Sequence, residues 1–104
     1  MSQPKPAYLI ASAILPEGHA SLMAYGQAAH PIFVKAGAEV LVMGSTEQNI
    51  DLLEGEWANQ DAKLSLVKFP TMQHLKDCLM SQEYLAIKNL RTDIIATNFS
   101  IAVD

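Results

Sequence analysis

One stretch, Leu64 to Arg91 (LSLVKFPTMQHLKDCLMSQEYLAIKNLR), spells out a strand, a stop and two short helices without interruption, and the rest of the chain must fit around that alternation. Leu64, Leu66, Val67 and Phe69 form an apolar run of strand length, and Pro70 ends it by removing a backbone donor. Thr71 is placed to cap a helix in which Met72, Leu75, Cys78 and Leu79 recur at helical spacing, leaving Lys76 and Asp77 for water. Ser81 caps a second helix, on which Tyr84, Lys88 and Arg91 fall at i, i+4 and i+7 and share a face.

Upstream, residues 1–6 carry two prolines and no periodicity and read as a flexible lead to one domain over 7–104. Ala7 to Ile14 (AYLIASAI) is a strand with no wet face: Tyr8, Ile10 and Ile14 point one way, Ala7, Leu9, Ala11 and Ala13 the other. Pro16 opens a helix whose stripe is Leu22, Tyr25, Ala29, Ile32, Phe33 and Ala36, with a kink expected at Pro31 and a stop at Gly37. Ala38 to Met43 reads as the second strand, Ile50 to Glu54 as a weaker edge strand, and 58–62 as a polar loop. Ile95 to Val103 is the last strand, with bulky Ile95, Thr97, Phe99, Ile101 and Val103 on one side and small or polar Ala96, Asn98, Ser100 and Ala102 on the other.

The order β-α-β-(β)-β-α-β is that of the α+β, ferredoxin-like arrangement with an antiparallel sheet, and right-handed crossovers put both helices on one side of it. An apolar sheet face left uncovered exceeds what a monomer normally shows, so the expected cover is the same face of a second copy: a homodimer. Composition agrees, because 50% apolar and 17% charged residues are a hydrophobic balance for so small a chain. A net charge of −4 with no basic cluster excludes the phosphate-neutralising stripe of nucleic-acid binders. Apolar runs only of strand length argue against a membrane span, and the lone Cys78, on an apolar helix face, fits a reducing compartment, so a cytoplasmic location is expected.

The segments AYLIA, AGAEVLVMG, LLEGEW, LVKFPT and SQEYLAIKNLR, in this order, resemble a small, mostly bacterial family known as domain of unknown function thirteen-thirty, over Ala7 to Asp104. The resemblance implies the dimeric α+β barrel superfamily, in which two ferredoxin-like subunits pack sheet to sheet. Its relatives include cofactor-free monooxygenases, muconolactone isomerase, stress-responsive barrel proteins and the haem-binding chlorite-dismutase group, so the fold does not fix the chemistry. This chain departs from the family pattern at Gly37-Ala38, where a Gly-Gly pair is common, at Met43, where an arginine is, and at Gln82, which replaces proline in the Ser-Pro-Glu-Tyr motif. The lost arginine weakens the case for an anion there, and no haem-ligand or metal pattern carries over.

His30, just before Pro31, is either a general acid or base aimed into a cleft opened by the kink or a surface histidine. Glu54, in the EGEW segment, is either an inward-turned base or an edge charge that discourages aggregation. Tyr84 and Arg91 form a phenol and guanidinium pair suited to a carboxylate or enolate, or else Arg91 pairs with Glu83, Asp93 or Glu54. Trp57 either walls a pocket or covers the open end of the barrel, and Asn98 lines a cavity or leaves room for packing. His19, His74 and His30 share no metal-ligand spacing with one another or with Cys78, and neither a phosphate-cradling glycine loop nor a nucleophile motif around Ser12 is present, so no cofactor is expected. Two functions remain open. One is a cofactor-independent enzyme, isomerase or monooxygenase-like, acting on a small carbonyl, carboxylate or aromatic metabolite; the other is a non-catalytic dimer that binds such a molecule or serves as an accessory module.

Overall fold

The structure, a computed structural model, describes residues 5–14, 20–45, 47–57, 61–93 and 96–104. Strand β1 (Ala7–Ile14) leads to helix α1 (Ala20–Lys35) and the short strand β2 (Glu39–Val42); β3 (Ala62–Phe69), the helices α2 (Met72–Leu79), α3 (Gln82–Ile87) and α4 (Asn89–Thr92), and β4 (Ala96–Val103) complete the order. The four strands form one antiparallel sheet in the order β2-β3-β1-β4, which is the ferredoxin-like order expected. The expected opening of α1 at Pro16, and His19, lie outside the described residues.

The helices cover one face. Ala7, Val67, Phe69, Leu75 and Cys78 make the buried cluster, against which Leu9, Ile32, Phe33, Ala36 and Met72 pack. The odd-numbered residues of β1 therefore face the helices, and the even-numbered Tyr8, Ile10, Ser12 and Ile14 face away. Thr71 and Ser81 cap as expected, each side chain accepting from the backbone N–H three residues on. Gly37 ends α1 at φ 78, a conformation that costs glycine little, and a Cβ there would lie 2.8 Å from Pro70 Cγ, so the α1–β2 turn and the end of β3 close together only without a side chain.

Four expectations need correction. Ile50 to Glu54 is not a strand: Leu52 and Leu53 are exposed, and at this height the edge of β3 is bonded by the Gln48 side chain instead. β3 starts at Ala62, which the sequence assigned to the polar loop, and residues 58–60 of that loop lie outside the described residues. The second helix tightens at Lys88 into two pieces, with Arg91 N–H and Thr92 N–H both donating to the Lys88 carbonyl. Asn98 does not share a face with Ser100. A bulge opposite Ser12 and Ala13 inserts an extra residue in β4, and Asn98 Nδ2 donates to Ser12 Oγ at 3.2 Å on the face away from the helices, whereas Ser100 pairs with the helix-facing Ala11.

The sheet's other face is incompletely covered. The molecule measures 44 × 35 × 17 Å with a radius of gyration of 14.3 Å, against about 13 Å for a compact chain of this length. Its 7261 Å² of accessible surface exceeds by about 1,500 Å² what a compact monomer of 11.3 kDa exposes. Val42, Ile101 and Val103, all on the face away from the helices, are 39%, 51% and 44% exposed.

Candidate functional site

A cavity forms at the free edge of β3. β2 is only four residues long, so it pairs with Leu66 to Lys68 and leaves the first half of β3 without a described strand on the edge opposite β1. The chain repairs that edge with surrogates. Gly44 N–H donates to Ser65 Oγ at 2.9 Å, and the Gln48 amide accepts from Leu64 N–H at 2.7 Å while donating to the Leu64 carbonyl at 2.9 Å, which copies a strand's hydrogen-bond pair.

Beyond Gln48 the edge opens into a cleft of about 320 Å³, lined by Ile50, Leu52, Trp57, Ala62 and Lys63. That volume is at the small end of metabolite pockets. Since Leu64 turns its N–H and C=O to this edge, the two-residue repeat turns those of Ala62 the same way. Lys63 Nζ donates to the Gln48 carbonyl at 2.7 Å. Trp57 sets its ring edge-on to Phe99 with centroids 6.1 Å apart, and its Nε1–H is buried with no acceptor among the described residues. An indole N–H only donates, so among the described residues this atom stands as an unsatisfied buried donor.

A second cluster lies in the helix layer. The hydroxyls of Tyr25 and Tyr84 are 2.9 Å apart, their rings meeting edge-on, and Phe33 lies against Tyr84. Burial, then the hydrogen bond and charge interaction with Tyr84, push the Tyr25 phenol well above the usual tyrosine range; Arg91, hydrogen-bonded to Tyr25, opposes this only in part. Tyr25 therefore stabilises the fold fully below the unfolded tyrosine pKa of about 10, and that contribution is lost as the pH rises from there through the higher folded value. Tyr84→Phe removes both causes that come from Tyr84 and keeps the larger one, burial, so the most alkaline tyrosinate transition should move to lower pH yet stay above the ordinary value in an absorbance titration. An unmoved transition would break the assignment.

The residues singled out from sequence thus divide into groups. Tyr84 and Arg91 come together with Tyr25, which the sequence offered only as part of an apolar stripe. Trp57 and Asn98 fall on the opposite side of the sheet, linked through Phe99 and Ser12, which are cross-strand partners. His30 is exposed on α1, and Glu54 is exposed on the segment beside the cleft without lining it. His74 is exposed, its Nδ1 2.6 Å from the Thr71 hydroxyl. Glu83 pairs with Lys35 at 3.5 Å, both of them well exposed. Cys78 is buried, and that burial, with a smaller push from Glu83, raises its thiol pKa, so it is held as a neutral thiol. Among the described residues no three His, Cys, Asp or Glu side chains converge, and no helix is long and apolar enough to cross a membrane.

The signal for the cleft was present in the sequence but unreadable by periodicity. Gln48 and Lys63 act through the edge that a four-residue β2 leaves open, and strand length is decided by tertiary pairing.

The family model described as Domain of unknown function (DUF1330) matches residues 6–103. A crystal structure of the RPA0582 protein of unknown function from Rhodopseudomonas palustris is similar at 15% identity with a TM-score of 0.66, covering 97% of this chain and 81% of that one. A structure of the methylated RPA0582 protein is similar at 14% identity with the same TM-score, covering 98% and 82%. At such identities the likeness shows the fold. No curated protein matches the chain.

Proposed function

The chain belongs to the Domain of unknown function (DUF1330) family, and from that premise we propose that it works as a homodimer, closed over the open face of its sheet, that binds a small metabolite in the cleft at Trp57. The observation that carries this reading is the metabolite-sized cleft, walled by Trp57 and Lys63, at the edge of β3 that β2 leaves open. The dimer is supported by the surplus surface: about 1,500 Å² over a compact monomer exceeds the roughly 800 Å² that each partner gives to a standard interface. A binding role is favoured over a catalytic one because neither His30 nor Glu54 lines the cleft, and Lys63, the one titratable side chain among the described lining residues, is tied to the Gln48 carbonyl.

The enzyme reading, isomerase or monooxygenase-like, draws its support from the helix layer. There Tyr25, Tyr84 and Arg91 gather phenol and guanidinium donors of the kind that stabilise a developing oxyanion. A reduced, buried Cys78 suits the cytoplasm, where we place the protein. Sedimentation over a wide concentration range, with a thermal-shift screen of small carboxylates and phenols, tests the proposal. A dimer with at least one stabilising hit is expected. A concentration-independent monomer would end the dimer reading, and hits abolished by Tyr84→Phe but indifferent to Trp57→Phe would move the site to the helix layer.

A further inference from the structure

Resting on the homodimer proposed above, we infer that residues 48–57 form a strap on the open sheet face, and that Leu52 and Leu53 of each strap pack on the uncovered sheet rows of the partner subunit, at Ile101 and Val103. The strap is fixed at its two ends. The Gln48 amide holds the Leu64 N–H and C=O on the edge of β3 opposite β1, and the Trp57 ring meets Phe99 on β4, the strand at the other edge of the sheet. Leu64, Ser12 and Phe99 are one cross-strand row on the face away from the helices, so the strap passes from β3 to β4 at that row. Burial along β1 agrees. On this one face Ser12 is 1% exposed, whereas the larger Ile10 and Tyr8, in the next two rows, are only half-buried beside the exposed Ile101 and Val103.

Between its anchors the strap keeps nothing inside. Every residue from Asn49 to Glu56 is exposed, and Leu53, at 89%, is held by almost nothing in its own subunit. Two such leucines, together with the exposed Val42, Ile101 and Val103, form an apolar surface of the kind that marks a protein contact. The strap also decides how two copies meet. Packed sheets lie about 10 Å apart, a gap that their own side chains fill, so two strap-bearing ends cannot face each other. A two-fold axis running across the strands removes the conflict, because it sets the raised strap of each copy on the uncovered rows of the other and makes the two contacts identical. Asp51, Glu54 and Glu56, all exposed, flank the leucines as the polar rim of such a contact.

Sedimentation equilibrium of the intact protein reads the test, with circular dichroism as the check on folding. Leu53→Asp is expected to weaken the dimer at least about a hundredfold and to leave the fold unchanged, since within one subunit the side chain is almost wholly exposed. Combining it with Ile101→Lys brings each new carboxylate onto an ammonium across the interface, so the double variant should associate at least about tenfold more tightly than either single one. A Leu53→Asp protein as dimeric as the wild type would put the strap outside the interface, and a monomeric Ile101→Lys protein in the same series would leave the homodimer itself standing. Weakening by Leu53→Asp with no recovery in the double variant would overturn the pairing of strap with uncovered rows. A wild type that stays monomeric at every concentration would end the homodimer and this inference together.

Discussion

Ile101→Lys is expected to abolish self-association, and Leu85→Lys to leave it intact. The two leucine-sized side chains are matched, 51% and 53% exposed in the subunit, but Ile101 lies on the open sheet face and Leu85 on α3 in the helix layer. Within one subunit either lysine keeps its ammonium in water, so neither should disturb the core. In a dimer packed through the sheets, a two-fold axis makes the interface self-complementary, and Ile101→Lys places two ammonium groups in it. Burying an unpaired charge costs several kcal/mol per ion, so two of them should weaken the dimer by at least about a thousandfold. Sedimentation equilibrium reads the outcome, with circular dichroism confirming that both variants fold. A dimeric Ile101→Lys protein would mean that the open face is not the interface; a monomeric Leu85→Lys protein would move the interface to the helices.

That face shows how far the sequence reached. β1 is apolar at every position but one, so the apolar character of both its faces was legible from Ala7 to Ile14 alone, and so were the caps at Thr71 and Ser81, whose chemistry is local. What misled was pairing. Ile50, Leu52 and Glu54 alternate as a strand does, yet the edge they would have joined is bonded by one glutamine side chain, and no periodicity announces that. The bulge in β4 likewise turned Asn98 onto Ser12, since an inserted residue reverses the face of everything on one side of it. Of the candidate site, Tyr84 with Arg91 was visible as a helical spacing, whereas Tyr25 is distant in sequence and its partnership depends on how α1 crosses α3.

Phe69→Ala should produce the largest loss of stability of any single truncation in the subunit. Phe69 ends β3 with no exposed surface, opposite Ala7, which is equally buried, and it sits in the cluster formed with Val67, Leu75 and Cys78. It meets Phe33 edge-on at 6.0 Å, and Phe33 in turn lies against Tyr84, so one ring ties the sheet to α1 and, through it, to α3. With Ala7 already minimal and Pro70 fixing the backbone that follows, the neighbours have little room to collapse into the space left behind. The expected cost is about 3–5 kcal/mol, a third or more of what a domain of this size usually has, and a Tm lower by more than about 10 °C. Phe69→Leu, which keeps most of the volume, should cost less than half as much. Denaturation must be compared at one protein concentration, because association adds to apparent stability, and the Ile101→Lys background removes that contribution altogether. If Phe69→Ala costs under about 1 kcal/mol in that background, the helices are not held to the sheet through this ring, and the packing described for the helix layer is wrong.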